Sequence, residues 1–180
     1  MVIKSLELSN FRNYAFLDMN FDKGTNILYG DNAQGKTNIL EAIYLCATTK
    51  SHRGTKDRDI VNFDEEEAHI RTWLEKDGDE IKIDMHLRKN KTKGIAIDGT
   101  KIKRASELLG LMNVVFFSPE DLSIIKNGPS ERRRFVDMEL CQLDPMYLHH
   151  LNNYNKIINQ RNKLLKDMYM NPSLKGTLDV

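Results

Sequence analysis

Gly30-Asp31-Asn32-Ala33-Gln34-Gly35-Lys36-Thr37 fits the pattern G-x-x-x-x-G-K-[ST] at every fixed position. The spacing follows from what phosphate binding requires: several backbone N–H donors aimed at one point. Gly30 and Gly35 let the chain curl close to a phosphate with no side chain in the way. The N–H groups that open the following helix lack intrahelical partners, so that helix end favours an anion. In such a loop the Lys36 ammonium reaches the β- and γ-phosphates and the Thr37 hydroxyl binds Mg²⁺. Without phosphate, Lys36 is expected to be solvated. The flanks supply the strand–loop–helix context the motif needs. Thr25-Asn26-Ile27-Leu28-Tyr29 reads as a short buried strand leading in, and 38–49 as the helix leading out. Only Asn38 and Glu41 are strongly polar between Asn38 and Ala47, so this helix is expected to be buried on most sides.

Upstream, Val2 to Leu8 reads as a strand and Asn10 to Tyr14 as a turn. From Ala15 to Phe21 apolar and polar residues alternate, as in a half-buried strand. Downstream, Asp64-Glu65-Glu66-Glu67 reads as a solvated loop. Ala68, Ile70, Thr72 and Leu74 then alternate with polar residues, as do Ile81, Ile83, Met85 and Leu87. Lys76-Asp77-Gly78-Asp79 and Asp98-Gly99 are turn signals, the second a strong hairpin signal. The spacing predicts an antiparallel meander of about four short strands beside the nucleotide-binding sheet, with Lys101 to Lys103 as the return strand. A short helix is expected over 106–111, and a buried strand over the β-branched and aromatic run Val114-Val115-Phe116-Phe117.

Composition bounds the answer. The 180 residues are 40% hydrophobic and 29% charged, which suits one globular domain with an appendage. The net charge of +1 announces no polyanionic partner, so any such partner must be argued from local clusters. Cys46 and Cys141 are the only cysteines. Cys46 falls in the buried helix, which implies no disulfide framework and a reducing compartment. No apolar run approaches membrane-spanning length, and the chain is read as cytoplasmic.

Two basic clusters stand out: Arg88, Lys89, Lys91 and Lys93 in a turn, and Arg132, Arg133 and Arg134 in the first turn of a helix opened by Gly128-Pro129-Ser130. Cations in a first turn oppose the helix dipole. That points to an anion site, DNA backbone or an acidic partner, with a plain solvated face as the alternative. From Pro145 the period changes. Tyr147, Leu151, Tyr154, Ile158, Arg161, Leu165 and Met168 follow a 4-3 spacing, a coiled-coil-type seam that stops near Asn171-Pro172. Its alternative is an ordinary core helix. The carboxylate-ended strand that holds Mg²⁺ and polarises water in most ATPases of this kind is not recognisable. Val114 to Phe117 runs into Ser118-Pro119, and Asp84 sits inside an alternating strand. Either this is an N-terminal fragment, or the protein binds nucleotide without hydrolysing it.

Several stretches together resemble the RecF family. They are Leu6 to Tyr14, the loop Gly30 to Thr37, Lys50-Ser51-His52-Arg53, Phe117 to Leu122, and above all Gly128-Pro129-Ser130-Glu131-Arg132-Arg133-Arg134-Phe135. The resemblance implies an α/β fold: part of an ABC-type P-loop ATPase head over 1–141, with the antiparallel meander, and the start of a helical arm over 142–180. It implies an ATP- and Mg²⁺-binding DNA repair, recombination and replication protein of the SOS response to DNA damage. Such proteins bind gapped DNA and single-strand–double-strand junctions, and help load the RecA recombinase with RecR and RecO. They dimerise on ATP, each nucleotide held between one subunit's loop and the other's signature motif. Signature and carboxylate-ended strand lie beyond residue 180 in the family. By position, the resemblance gives phosphate and Mg²⁺ binding to Gly30, Asp31, Asn32, Ala33, Gln34, Gly35, Lys36, Thr37 and Asn38. It puts Arg12 near the phosphates and Glu120 in the loop that links Mg²⁺ to the arm. The other readings are a different P-loop protein such as a nucleotide kinase, or a nucleotide-gated binding module without turnover.

Overall fold

The alternating runs of the sequence fold as six strands of one sheet: β1 (Val2–Phe11), β2 (Tyr14–Asn20), β3 (Glu67–Lys76), β4 (Asp79–Arg88), β5 (Gly94–Ile97) and β6 (Thr100–Lys101). They lie in the order β2-β1-β3-β4-β5-β6, every neighbouring pair antiparallel. The helices are α1 (Lys36–Thr48), α2 (Ser123–Lys126), α3 (Pro129–Leu143) and α4 (Pro145–Met170). This computed structural model describes residues 1–118, 123–126 and 128–171. The chain divides into two compact units, Met1–Ser123 and Ile124–Val180.

The meander is therefore not a separate sheet beside the loop. β3 pairs with β1 from Val2 opposite Glu75 to Ser9 opposite His69, with Leu6 opposite Thr72 and Leu8 opposite Ile70. Turn chemistry sets the register on the other side. Asp77 and Gly78 join β3 to β4 with φ of 55° and 95°, and Asp98 and Gly99 join β5 to β6 with 49° and 78°. Two consecutive left-handed residues match the twist of a two-residue hairpin, which Asp-Gly supplies at small steric cost. Asp98 Oδ1 also accepts the Lys82 backbone N–H at 2.8 Å.

One sheet face is the core. Leu6, Leu8, Ile70, Leu74, Ile83, Met85, Leu87 and Ile95 are buried there against Ile39, Ala42, Leu45 and Cys46 of α1. Each fully buried large aliphatic contributes about 1.5–3 kcal/mol of transfer free energy. Thr72 is polar on this face, yet its hydroxyl donates to the Ser5 carbonyl at 2.9 Å, beside the bulge between Ile3 and Ser5. Cys46 is fully buried, as its helix position predicts, and burial pushes its thiol up to about 12. The outer face is polar: Arg71 Nε donates to Asp84 at 2.5 Å and its Nη1 to Glu7 at 3.3 Å, across three strands.

Two predicted strands do not form. Residues 25–29 and 113–118 carry no strand pairing among the described residues. Ile27 is 78% exposed, Tyr29 91%, Val115 85% and Phe117 78%. Strand propensity is a fit to a pleated, partnered surface, and without a neighbouring ladder it decides nothing. Leu28 and Val114 do turn to the core, so each segment is anchored on one side only. The helix expected over 106–111 is a single 3₁₀ turn, Ala105–Glu107, stabilised by the Arg104 N–H donating to the Glu107 carboxylate at 2.8 Å.

In the second unit, α3 opens at Gly128 with Pro129 in its first turn, where a missing N–H costs nothing. Asp144 caps α4 by accepting the Met146 N–H at 2.8 Å. Tyr147 Oη donates to Asp137 of α3 at 2.6 Å, a bond that raises the phenol above its ordinary value. α4 ends at Asn171, as Asn171-Pro172 predicts. Of the seam, Tyr147, Leu151, Ile158 and Met168 are half-buried, while Tyr154 and Leu165 are exposed.

Candidate nucleotide site

The predicted loop stands at the N-terminus of α1. Gly35 caps that helix in the left-handed region at φ 99°, and Gly30 has φ 141°. At Gly35 the requirement is steric as well as conformational: a Cβ would lie 2.7 Å from Asn13 Oδ1 and 2.9 Å from Tyr14 Cε2. The chain at Asn13-Tyr14 is pressed against the loop and braces it. Asn13 Nδ2 and Tyr14 Oη both donate to the Gln34 carbonyl at 3.3 Å. Asn38 Nδ2 donates to Asn13 Oδ1 at 2.8 Å, and Arg53 Nη1 donates to Asn38 Oδ1 at 3.2 Å. Burial raises the Tyr14 phenol, keeping it a neutral donor.

Lys36 departs from the expectation of a solvated ammonium. Its Nζ donates to the carbonyls of Gly30 at 2.7 Å and Asp31 at 2.6 Å, so the charge ties the two ends of the loop together. Thr37 and residues 31–34 are exposed. Helix N–H groups, a lysine and a hydroxyl at one helix end are a donor set suited to phosphate and a hard divalent cation.

Behind the loop lies a polar cluster that motif reading missed. Glu41 is fully buried on α1. Arg12 grips it with Nε to Oε2 at 3.0 Å and Nη2 to Oε1 at 2.7 Å, and Ser51 Oγ donates to Oε1 at 2.5 Å. Arg53 Nη1 adds a charge 3.4 Å from Oε2. Burial alone pushes the Glu41 carboxyl up. The bonds from Arg12 and Ser51 and the charges of Arg12 and Arg53 together outweigh it, leaving the group below its ordinary value. Arg12 also donates to the Asp59 carbonyl at 2.7 Å and to Thr55 at 2.9 Å. Its guanidinium is thus committed to Glu41, Thr55 and the Asp59 carbonyl in this structure. The signal was in the sequence: Glu41 interrupts an otherwise apolar helix stretch.

A groove of about 1010 Å³ adjoins this cluster, lined among others by Arg12, Asn13, Asn38, Arg53, Arg58 and Lys89. Of the basic turn, Lys89 donates to the Phe63 carbonyl at 2.8 Å, and Arg88 packs on His86 with Nη2 3.0 Å from its Nδ1. Lys93 is tied to the Thr49 carbonyl and to Asp57 at 3.0 Å, and Lys91 is exposed. Arg132, Arg133 and Arg134 are exposed in the other unit; because α3 opens at Pro129, only Arg132 falls in its first turn and the other two begin the second. Ser118 is buried, whereas Pro119 and Glu120 lie outside the described residues.

Comparison with known proteins gives this geometry a family. The model of the AAA domain matches residues 5–173. The chain is 68% identical over all its 180 residues to the DNA replication and repair protein RecF of Lachnoclostridium phytofermentans, and 66% identical over 182 aligned residues to that of Lachnospira eligens. It spans about half the length of these curated relatives. Among solved structures it is similar to the recombination mediator protein RecF-ATP of the RecFOR pathway. The TM-score is 0.86 at 42% identity, over 92% of this chain and 46% of that one. An SMC ATPase structure shares the fold, with a TM-score of 0.61 at 23% identity, over 77% of this chain and 99% of that one. The chain belongs to the AAA-domain family, and within it carries the N-terminal portion of a RecF-type ATPase head.

Proposed function

We propose that the protein binds ATP and Mg²⁺ through Gly30 to Thr37 and acts, as part of a RecF-type protein, in ATP-dependent DNA binding during recombinational repair and replication restart. The loop carries this reading: a left-handed Gly35 with no room for a Cβ, the N-terminus of α1 directly after it, and Lys36 anchored across it. Thr37 is the Mg²⁺ residue. The DNA is gapped, with single-strand–double-strand junctions, and the partners are RecR, RecO and RecA in the cytoplasm. Residues 1–141 belong to the head and 142–180 begin its arm. ATP pairs two heads. Exposed Lys91 and Arg132 to Arg134 are the foremost candidates for phosphate contact, because Arg88, Lys89 and Lys93 already have partners within the first unit.

The test is ATP calorimetry with Lys36→Ala. Losing a charge-assisted contact to phosphate costs about 1.5–3 kcal/mol, so affinity should fall about tenfold or more. Unaltered binding removes the loop assignment.

A further inference from the structure

The sheet face turned away from α1 carries a row of side chains across four strands. Ser9 on β1 lies opposite His69 on β3, His69 opposite His86 on β4, and His86 opposite Gly94 on β5. The two imidazoles stack with ring centroids 4.0 Å apart. Glu67 precedes His69 by two residues and so shares its face, and Glu67 Oε2 is 2.8 Å from His86 Nε2. One ligand atom from each of Glu67, His69 and His86 lies within 4.8 Å of the other two. We propose that these three residues form a binding site for a divalent transition-metal ion of the Zn²⁺ type.

The ligand set argues for the metal class. Two borderline imidazole nitrogens and one hard carboxylate oxygen are ligand types that Zn²⁺ takes together, with a fourth position open to water. Metal–ligand bonds of about 2.0–2.2 Å at tetrahedral angles put ligand atoms roughly 3.4 Å apart. Closing from within 4.8 Å requires side-chain rotation only, because the strands hold the Cα positions in register. Small neighbours keep the row open: Ser9 flanks His69 and Gly94 flanks His86. The face is continuous with a groove of about 550 Å³ that these histidines line.

The charges around the site set its strength. Arg71 is held by Asp84 and Glu7 on the neighbouring strands, so its charge is already balanced. Arg88 is the competitor, with Nη2 3.0 Å from His86 Nδ1. A plain ion pair uses Glu67 and His86 but has no need of His69, and this separates the two readings.

The experiment titrates Zn²⁺ into the full chain after chelator stripping, in competition with a chromophoric chelator, and records the visible spectrum of the Co²⁺ form. One equivalent should bind with micromolar or tighter Kd, and Co²⁺ should give the intense absorption of a tetrahedral site. His69→Ala and His86→Ala should each weaken binding about tenfold or more, since even groups that merely orient ligands contribute that much. Glu67→Gln should weaken it less, and Arg88→Gln should hold or tighten it by removing a competing cation. Circular dichroism checks that these outer-face variants fold. Binding no tighter than millimolar would overturn the proposal. So would binding unchanged in the double histidine variant, or binding lost when Cys46 and Cys141 become serine.

Discussion

Arg12, in the turn after β1, holds the buried carboxylate of Glu41 on α1 through two parallel hydrogen bonds of 3.0 and 2.7 Å, across 29 residues of sequence. Arg12 itself adopts φ 54°, an uncommon conformation for a residue with a Cβ. A bidentate ion pair with one member fully desolvated stabilises little when whole, yet breaking it from one side is costly. This pairing ties the β1–β2 turn to α1, the helix that the loop opens into.

Arg12→Ala should therefore destabilise the protein by about 3–5 kcal/mol, toward the lower end because Ser51 and Arg53 still face Glu41. Glu41→Gln should cost less, since Arg12 is partly exposed and can reach water. Chemical denaturation of both variants checks the order. The reverse order would show that Arg12, not Glu41, carries the uncompensated charge.

The same pair sets a pH dependence. Glu41 lies below its ordinary value in the folded state, so its contribution is fully present above the unfolded carboxylate pKa of about 4.3. It is lost as pH falls through the lower folded value. Urea midpoints measured from neutral pH down to about pH 3 should drop more steeply for the native chain than for Glu41→Gln.

Gly35→Ala should be harmful in two ways. The left-handed backbone costs a β-carbon-bearing residue about 1–2 kcal/mol, and the new Cβ must displace Asn13 or Tyr14, which brace the loop. Gly30 has nothing within 4 Å of its Cβ position, so Gly30→Ala meets backbone strain alone. Thermal melts and ATP calorimetry on both variants should show Gly35→Ala as the worse for stability and for binding.

The basic clusters should separate by experiment. Lys93→Ala should cost stability, because it removes an ion pair and a bond to the Thr49 carbonyl, and should leave DNA binding nearly intact. Neutralising Arg132, Arg133 and Arg134 should leave stability unchanged or slightly improved, because all three are exposed and Arg132, in the first turn of α3, opposes its dipole. If they touch DNA, the slope of log K against log salt should fall by roughly one for each arginine that neutralises a phosphate.

Turnover by residues 1–180 alone should be near background, as should ATP-driven dimerisation. A water-orienting carboxylate and a signature residue supply factors of about a hundred to a thousand each, about 2.7–4 kcal/mol apiece. Steady-state phosphate release checks this. Robust release abolished by Lys36→Ala would show that a water-activating group is already present.

The sequence by itself determined what depends on near neighbours in the chain. The glycine-rich loop before α1, the Asp-Gly hairpins, the strand β1, the inward-facing residues of β3 and β4, and the end of α4 were all legible. Each rests on local φ/ψ preference or on a period of two or 3.6. Tertiary structure alone decided the rest. The runs 25–29 and 114–117 look like strands, but a strand exists only where a partner completes its ladder, and no local pattern reports that partner. Lys36 turned to two carbonyls because the loop's curl brought them within 2.7 Å. Arg12 met Glu41, and His69 met His86, because register and helix packing closed gaps of 29 and 17 residues. Side-chain chemistry and local geometry are written along the chain, whereas the pairing of distant charges and ligands is a property of the packed chain.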